Sequence, residues 1–377
     1  MGSLLYKAIV GAGAEAVAPA PSYSADVVVK VRCLNGNATW GFRPSSNGSY
    51  TVDWGDGTVE TDTYEHYYEN AGDYVVQIDG VYSVTFEYDN NTYGSGTYVK
   101  ELLNIGSGIT HVSSMFNNCR GLDTIANGVC FPHADYNEVF CNCDSLTSYP
   151  DGLFQIDDGN GNYVASCFGA FMNCTSLTDI GDILDGCGFN ETTDFSNLFY
   201  GCTSLTYSYR DARQFPPLAS YIFYGCTSLT ESPLGNNGVI MDMHYAFAYS
   251  GIQYAHFDQS LTYNFPVNMS NAFEGCKDLY NVRFSRNGMN IQIMQNAFKD
   301  CTSLSTVNVP SNISIPGHGN DFCDSAFSGC TNLSSFQSSD GNSYINTFVS
   351  LGWNSYTQCF HDCTSLPEYN DLPDDWK

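Results

Sequence analysis

The sequence Ala297-Phe-Lys-Asp-Cys-Thr-Ser-Leu-Ser-Thr-Val307 contains the motif from which the architecture of the chain can be inferred. Its framework is Phe-x-x-Cys-x-x-Leu, and the tetrapeptide Cys-Thr-Ser-Leu alone occurs five times along the chain. Self-similarity at a period of about 20 to 50 residues is the signature of a solenoid, in which each unit buries its apolar face against its neighbours. The stretch therefore predicts a stack of similar coils.

The framework occurs ten times, counting a copy at Phe247 in which Ser250 takes the place of the cysteine. Its phenylalanines are Phe116, Phe140, Phe171, Phe199, Phe223, Phe247, Phe273, Phe298, Phe327 and Phe360. Since they lie 24 to 33 residues apart, insertions fall between units. We predict three internal rows of Phe, Cys and Leu, with the Phe-to-Leu segment as a helical turn. Short strands should follow, as at Thr178–Ile180 and Ser305–Val309.

Residues 297–307 also resemble the AFxxCxxLxxV consensus of the BspA-like leucine-rich repeats found in bacterial surface proteins. The resemblance implies a leucine-rich-repeat solenoid of about ten repeats over residues 101–377. It also implies that the stacked coils present a binding face.

Residues 25–100 contain short β-branched or alternating segments separated by Gly, Asn and Asp turns, which favours an antiparallel β-sandwich. Val-Asp-Trp-Gly-Asp-Gly-Thr at 52–58 resembles the WDFGDGT signature of the polycystic-kidney-disease (PKD) domain, in a shortened form. His66-Tyr-Tyr68 and Ala71–Val76 match that family's continuation. The resemblance implies a sandwich that serves as a spacer or binding module. The predicted fold class is mainly β with short helical turns: a PKD-like sandwich followed by the solenoid.

The charge and hydropathy of the chain argue against several kinds of partner. The chain has 13 Lys and Arg against 40 Asp and Glu, a formal net charge of −27. Such acidity argues against nucleic acid, whose binding depends on neutralising phosphates with basic residues. It also argues against anionic lipid surfaces. Because no stretch approaches about 18 consecutive apolar residues, we predict no membrane insertion.

Residues 1–24 are expected to form an extended anchoring arm and linker that stays attached, although their apolar stretch loosely resembles a secretory signal. The side chains expected to bind other virion proteins are Leu4, Leu5, Tyr6, Ile9 and Val10. Gly11–Ala16 matches a relaxed dinucleotide fingerprint, but Pro19 would stop the helix that such a site requires.

The sixteen cysteines admit a disulfide or zinc interpretation. Nine occupy the repeat slot, where a thiol acts as a small buried apolar group with a weak donor, so we expect these to stay reduced. The other seven are better candidates for any disulfide. They are Cys33, Cys130, Cys141, Cys167, Cys187, Cys323 and Cys359.

No catalytic or cofactor motif emerges, so we predict no catalytic, cofactor-binding or metal-binding residues and no enzyme activity. Two alternatives are metal or catalytic use of Asp53, Asp56 and Asp62, and a calcium-loop-like run at 157–162 that lacks the distal Glu of an EF-hand. A glycosidase-type carboxylate pair is a third, although the sequence singles none out.

The main interpretation is a non-enzymatic virion structural protein at the virion surface, a phage decoration protein or a head or tail fibre. The alternative is a secreted bacterial surface adhesin of the BspA-like class. In either case the solenoid is expected to bind a host surface protein or glycan, and self-association into a homo-oligomer is left open. The 27 tyrosines fit a binding surface or packing between repeats equally well.

Overall fold

A computed structural model describes residues 23–86, 96–155, 165–181, 183, 193–206, 214–231, 237–238, 241–257, 267–284, 291–309, 323–338, 345 and 357–377. The arm residues up to 22, the run at 157–162 and Cys187 lie outside this set. The sandwich strands are β1 (Val27–Cys33), β2 (Ala38–Gly41), β3 (Arg43–Ser45), β4 (Thr51–Asp53), β5 (Val59–Thr61), β6 (Glu65–Tyr68), β7 (Gly72–Asp79), β8 (Ser83–Thr85) and β9 (Thr97–Ile105).

The N-terminal unit is a β-sandwich, as the strand pattern predicts. One layer is an antiparallel sheet in the order β9-β1-β7-β4-β5, and the pairs β2-β6 and β3-β8 complete the unit. Trp54, fully buried, lies between the layers, 6.3 Å from Trp40 and 5.8 Å from Phe42 by ring centroids. The buried apolar side chains of β1 and β4 belong to this core, which explains why apolar residues alternate with more exposed ones along these strands.

The strands that the structure describes in the solenoid are short. They are β10 (Thr124–Ile125), β11 (Gln214–Phe215), β12 (Asn237–Gly238), β13 (Tyr254–His256), β14 (Val267–Asn268), β15 (Asn281–Arg283), β16 (Ile291–Ile293), β17 (Thr306–Val309) and β18 (Ser335–Ser338). Neighbouring coils pair in parallel, in the orders β13-β15-β17-β18, β14-β16 and β11-β12. The strand expected at 305–309 is confirmed, whereas Thr178–Ile180 forms none. Among the described residues, 3₁₀ helices span Tyr369–Asp371 and Asp374–Trp376.

All ten predicted phenylalanines form one continuous row of stacked rings, which we call the phenylalanine ladder. Adjacent rings are 5.1–6.2 Å apart and within 22° of parallel when Phe86 and Trp376 are included as outer rungs. These two residues fall outside the repeat motif. Each coil is named below by its ladder phenylalanine.

The repeat cysteines form a second row, the thiol ladder, beside the rings. Each Sγ donates to the carbonyl oxygen of the phenylalanine one rung earlier, at 2.9–3.2 Å for eight of them and 3.6 Å for Cys119. Burial raises the pKa of thiols such as Cys226, which keeps them protonated and able to donate. The repeat cysteines are buried as expected. In addition, each thiol makes a hydrogen bond that recurs from coil to coil.

The Phe-to-Leu segment is built from successive tight turns rather than one continuous helical turn. Cys226 donates its backbone N–H to Phe223, and Leu229 donates to Cys226, each three residues on. The helix is interrupted because the residues two before and two after every ladder phenylalanine have left-handed backbone, with φ between 52° and 78°. Glycine and asparagine adopt this region most easily, which explains their frequency there.

The two units are joined through β9 and Phe86. β9 crosses the boundary predicted at residues 100 and 101, pairing with β1 of the sandwich and with β10 of the Phe116 coil. Phe86 stacks on Phe116 at 5.1 Å and its carbonyl accepts the Cys119 thiol. The sandwich therefore covers the Phe116 coil as another coil would. Within the described part of the chain, no helix has the length and apolar composition needed to cross a bilayer.

The thiol ladder yields a prediction at Cys226. Cys226→Ser should lower the free energy of unfolding by about 1 kcal/mol or less, and Cys226→Ala by about 1–2 kcal/mol. The sequence alone offers the serine hydroxyl no partner, but the Phe199 carbonyl lies 3.1 Å from the native Sγ and can accept from it. Urea denaturation followed by circular dichroism measures both values. A serine variant less stable than the alanine variant would contradict the bond.

Candidate functional site: a tyrosine surface

Three positions flank the phenylalanine of each coil: two before, one after and two after it. In the Phe199, Phe223 and Phe247 coils, five of these positions hold tyrosine, and together they form what we call the tyrosine surface. Its members are Tyr200, Tyr221, Tyr224, Tyr245 and Tyr249. All are half-buried except Tyr249, which is 45% exposed.

The rings of the tyrosine surface are organised in pairs. Tyr200 stacks on Tyr224 at 4.7 Å and within 2° of parallel, and Tyr221 stacks on Tyr245 at 4.9 Å. Tyr249 meets Tyr224 edge to face at 5.4 Å. Offset-stacked and edge-to-face contacts fix ring orientation, so the hydroxyls project from a rigid base.

Three of these tyrosines sit in strained backbone. Tyr221, Tyr245 and Tyr249 have φ of 58°, 54° and 59°, at positions where other coils mostly use Asn, Asp, Ser or Gly. A bulky residue in the left-handed region costs about 1–2 kcal/mol. Such strain persists only where the surroundings over-determine it, and it concentrates at functional sites.

Neighbouring residues are adapted to these rings. A Cβ added at Gly275 would lie 2.6 Å from the Tyr249 ring, so only glycine fits beneath it. His244 meets Tyr245 at 4.5 Å and Tyr221 at 5.5 Å, both edge to face. Its Nδ1 lies 3.2 Å from the Ser270 carbonyl, which holds the imidazole in place.

The surroundings of Tyr245 and Tyr249 favour the neutral phenol over the phenolate. Burial, and secondarily the Glu274 carboxylate, raises the pKa of Tyr245 and of Tyr249 above its usual value. The Tyr249 hydroxyl donates to Glu274 Oε1 at 3.3 Å. The surface therefore combines neutral hydroxyl groups on rigid rings with one carboxylate.

The carboxylates considered as a metal or catalytic group are spread through the sandwich turns. Asp53 accepts the Gly55 N–H, and Asp56 accepts the Thr58 N–H. Asp62 accepts the N–H of Tyr50. Among the described residues, no three His, Cys, Asp or Glu side chains gather as metal ligands would.

Asp56 also pairs with His66 at 2.8 Å. That imidazole stacks on Trp54 at 5.0 Å, and the indole N–H donates to Glu60 at 2.8 Å. The residues of the PKD-like signature therefore stabilise one corner of the sandwich through hydrogen bonds and ring stacking.

Sequence reasoning did not single out the five tyrosines. The available signal was tyrosine recurring at fixed offsets from three successive ladder phenylalanines. No comparable signal marks Trp376, which follows no repeat motif yet stacks on Phe360.

Comparison with known proteins identifies the repeats. The family model "BspA type Leucine rich repeat region" matches six copies, which together span residues 136–369, more than half of the chain. The chain belongs to the BspA-type leucine-rich repeat family. The PKD-like resemblance of residues 25–100 lies outside the matched span and stays a prediction.

No curated protein matches the chain in sequence. Among solved structures, it is similar to a leucine rich cell surface protein from Faecalibacterium prausnitzii A2-165. The two are 18% identical, the match covers 79% of this chain and 95% of that chain, and the TM-score is 0.32.

Proposed function

We propose that this protein is a non-enzymatic adhesin of a bacterial cell surface, which binds a protein on another cell through the tyrosine surface. The match to BspA-type repeats, which resemble repeats of bacterial surface proteins, supports a surface adhesin over a virion protein. The virion location, and the role of Leu4, Leu5, Tyr6, Ile9 and Val10 in it, stay predictions.

The observation that carries the proposal is the run of five tyrosines across three successive coils, three of them in left-handed backbone. Tyrosine is enriched at protein interfaces because its rigid ring gives a large contact area at low cost in conformational entropy. Packing alone would not need it at these positions, since other coils fill them with polar or small residues, except for Met172. We infer that the aromatic rings are retained for contact with a partner.

Charge indicates the chemistry of that partner. Glu274 lies at the edge of the tyrosine surface, and the chain carries a net charge of −27. A basic protein patch fits this arrangement, because arginine stacks on aromatic faces and pairs with carboxylates. Association should accordingly slow as the salt concentration rises.

The assay is binding of the purified full chain to cultured epithelial cells. Tyr224→Ala combined with Tyr249→Asn should weaken binding at least about tenfold, as expected for central aromatic residues of an interface. Asparagine is the native residue at the matching position of three other coils, so the fold should be kept. Flow cytometry with labelled protein measures the affinity.

Tyr280→Ala is the matched control, because Tyr280 is 49% exposed but lies on the strand side of its coil, next to β15. It should bind as the native chain does. Protease treatment of the cells should abolish binding, whereas periodate oxidation of their glycans should not. Loss of binding after periodate treatment alone would show that the partner is a glycan and not a protein. Equal binding by all variants would show that the tyrosine surface does not bind the partner.

A further inference from the structure

Two buried cysteines outside the thiol ladder lie against each other. Cys323 belongs to the Phe327 coil and Cys359 to the Phe360 coil, and each is fully buried. Their Sγ atoms are 2.9 Å apart, although the residues are 36 positions apart in sequence. Both were among the seven cysteines that the sequence left as candidates for a disulfide.

This pair differs from the ladder thiols in its partner. Cys330 and Cys363, in the same two coils, donate to the carbonyls of Phe298 and Phe327 at 3.1 and 3.0 Å. Cys323 and Cys359 instead face each other. Burial raises the pKa of the Cys359 thiol, so it is a poor nucleophile once the coil is closed.

The backbone fixes both cysteines in regular positions. Cys323, four residues before Phe327, accepts the Ala326 N–H at 3.1 Å. Cys359, one residue before Phe360, accepts the Phe327 N–H at 2.8 Å. The same bonds recur one coil earlier, where Met294 accepts from Ala297 and Ala326 accepts from Phe298. The cysteine pair therefore occupies ordinary sites of the solenoid.

Those sites are apolar elsewhere. In the three preceding coils the corresponding pairs combine a large and a small residue: Met294 with Ala326, Met269 with Ala297, and Met243 with Ala272. Only between the Phe327 and Phe360 coils, among the coils described, do both sites hold cysteine. Cysteine at both sites is what a disulfide between these two coils requires.

We propose that Cys323 and Cys359 form a disulfide that closes the longest insertion between ladder phenylalanines, the 33 residues from Phe327 to Phe360. The sulfurs are less than about 1 Å farther apart than in a disulfide, whose bond is about 2.05 Å long. The bond would hold the Phe360 coil on its neighbour independently of the insertion.

The oxidant is the disulfide of a thiol–disulfide oxidoreductase in an oxidising extracytoplasmic compartment. One cysteine thiolate attacks that disulfide and releases one oxidant sulfur, giving a mixed disulfide. The second thiolate then displaces the other oxidant sulfur and forms the Cys323–Cys359 bond. The two thiol protons and two electrons end on the oxidant as a dithiol. Exchange precedes closure of the coil, while both thiols are accessible.

The test uses the full chain exported to a bacterial periplasm, denatured without reductant and alkylated. Peptide mass spectrometry should find Cys323 and Cys359 in one cross-linked species and Cys226 alkylated. Reductant should lower the melting temperature by about 5 °C or more, because the closed segment constrains the unfolded chain. Alkylation of both Cys323 and Cys359 in the exported native chain would overturn the proposal.

Two variants separate this bond from a general effect of reductant. Cys323→Met combined with Cys359→Ala copies the packing of Met294 and Ala326, so it should fold and melt at the same temperature with or without reductant. Cys226→Ser removes a ladder thiol and should keep the reductant-dependent shift. A shift that persists in the Met/Ala variant would place the reducible bond elsewhere. Because the test does not involve the tyrosine surface, its outcome is independent of the binding partner.

Discussion

Replacing Phe223 with alanine should lower the free energy of unfolding by about 3–5 kcal/mol, the usual range for truncating a buried aromatic residue. Phe223 is fully buried and stacks at 5.5 Å on both Phe199 and Phe247. Its removal leaves a void in the middle of the ladder, with a ring on either side. In a solenoid each coil is stabilised only by its neighbours, so the loss should also reduce the cooperativity of unfolding.

Urea titration followed by circular dichroism measures the change in midpoint and slope. Tyr280→Ala, an exposed aromatic truncation in the same solenoid, should change stability by about 0.5 kcal/mol or less. If Phe223→Ala lowered the free energy of unfolding as little as Tyr280→Ala does, the stacked rings could not form a continuous core. A smaller slope for Phe223→Ala would indicate that the two halves of the array unfold separately.

Replacing Phe86 with alanine should lower the free energy of unfolding by about 3 kcal/mol or more and affect both units at once. Phe86 stacks on Trp40 of the sandwich at 5.9 Å and on Phe116 of the solenoid at 5.1 Å. Its truncation uncovers the Phe116 ring, and an uncovered apolar coil end promotes aggregation.

Hydrogen exchange resolves the effect by segment. We expect faster exchange in both β1 and the Phe116 coil for Phe86→Ala, with protection in the Phe298 coil nearly unchanged. Val59→Ala is the control, because Val59 is in the sandwich but 65% exposed. Faster exchange confined to the sandwich would mean that the two units are stabilised independently.

The repeats and the sandwich strands could be predicted because their signals are local. Phe223, Cys226 and Leu229 lie within seven residues, and the same spacing returns in every coil except the Phe247 coil, so the internal rows follow from the sequence. The apolar alternation of β1 and β4 equally marks one buried face. The left-handed positions were less visible, since Asn, Gly, Ser, Gln and Tyr all occupy them.

Contacts between coils could not be predicted in the same way. Phe86 and Trp376 extend the ladder without sharing the motif, because stacking depends on where a ring lies and not on its sequence neighbours. In the same way, Cys323 meets Cys359 across 36 positions.

The amino-acid sequence is sufficient to predict a stack of coils with Phe, Cys and Leu inside, because nine of the ten coils repeat the same short-range pattern. Which side chains of different coils share a surface depends instead on how the coils stack. Insertions of unequal length separate the coils, so distance along the chain does not predict lateral neighbours. Only once the phenylalanine rings are stacked do Tyr200 and Tyr224, or Tyr221 and Tyr245, fall into register.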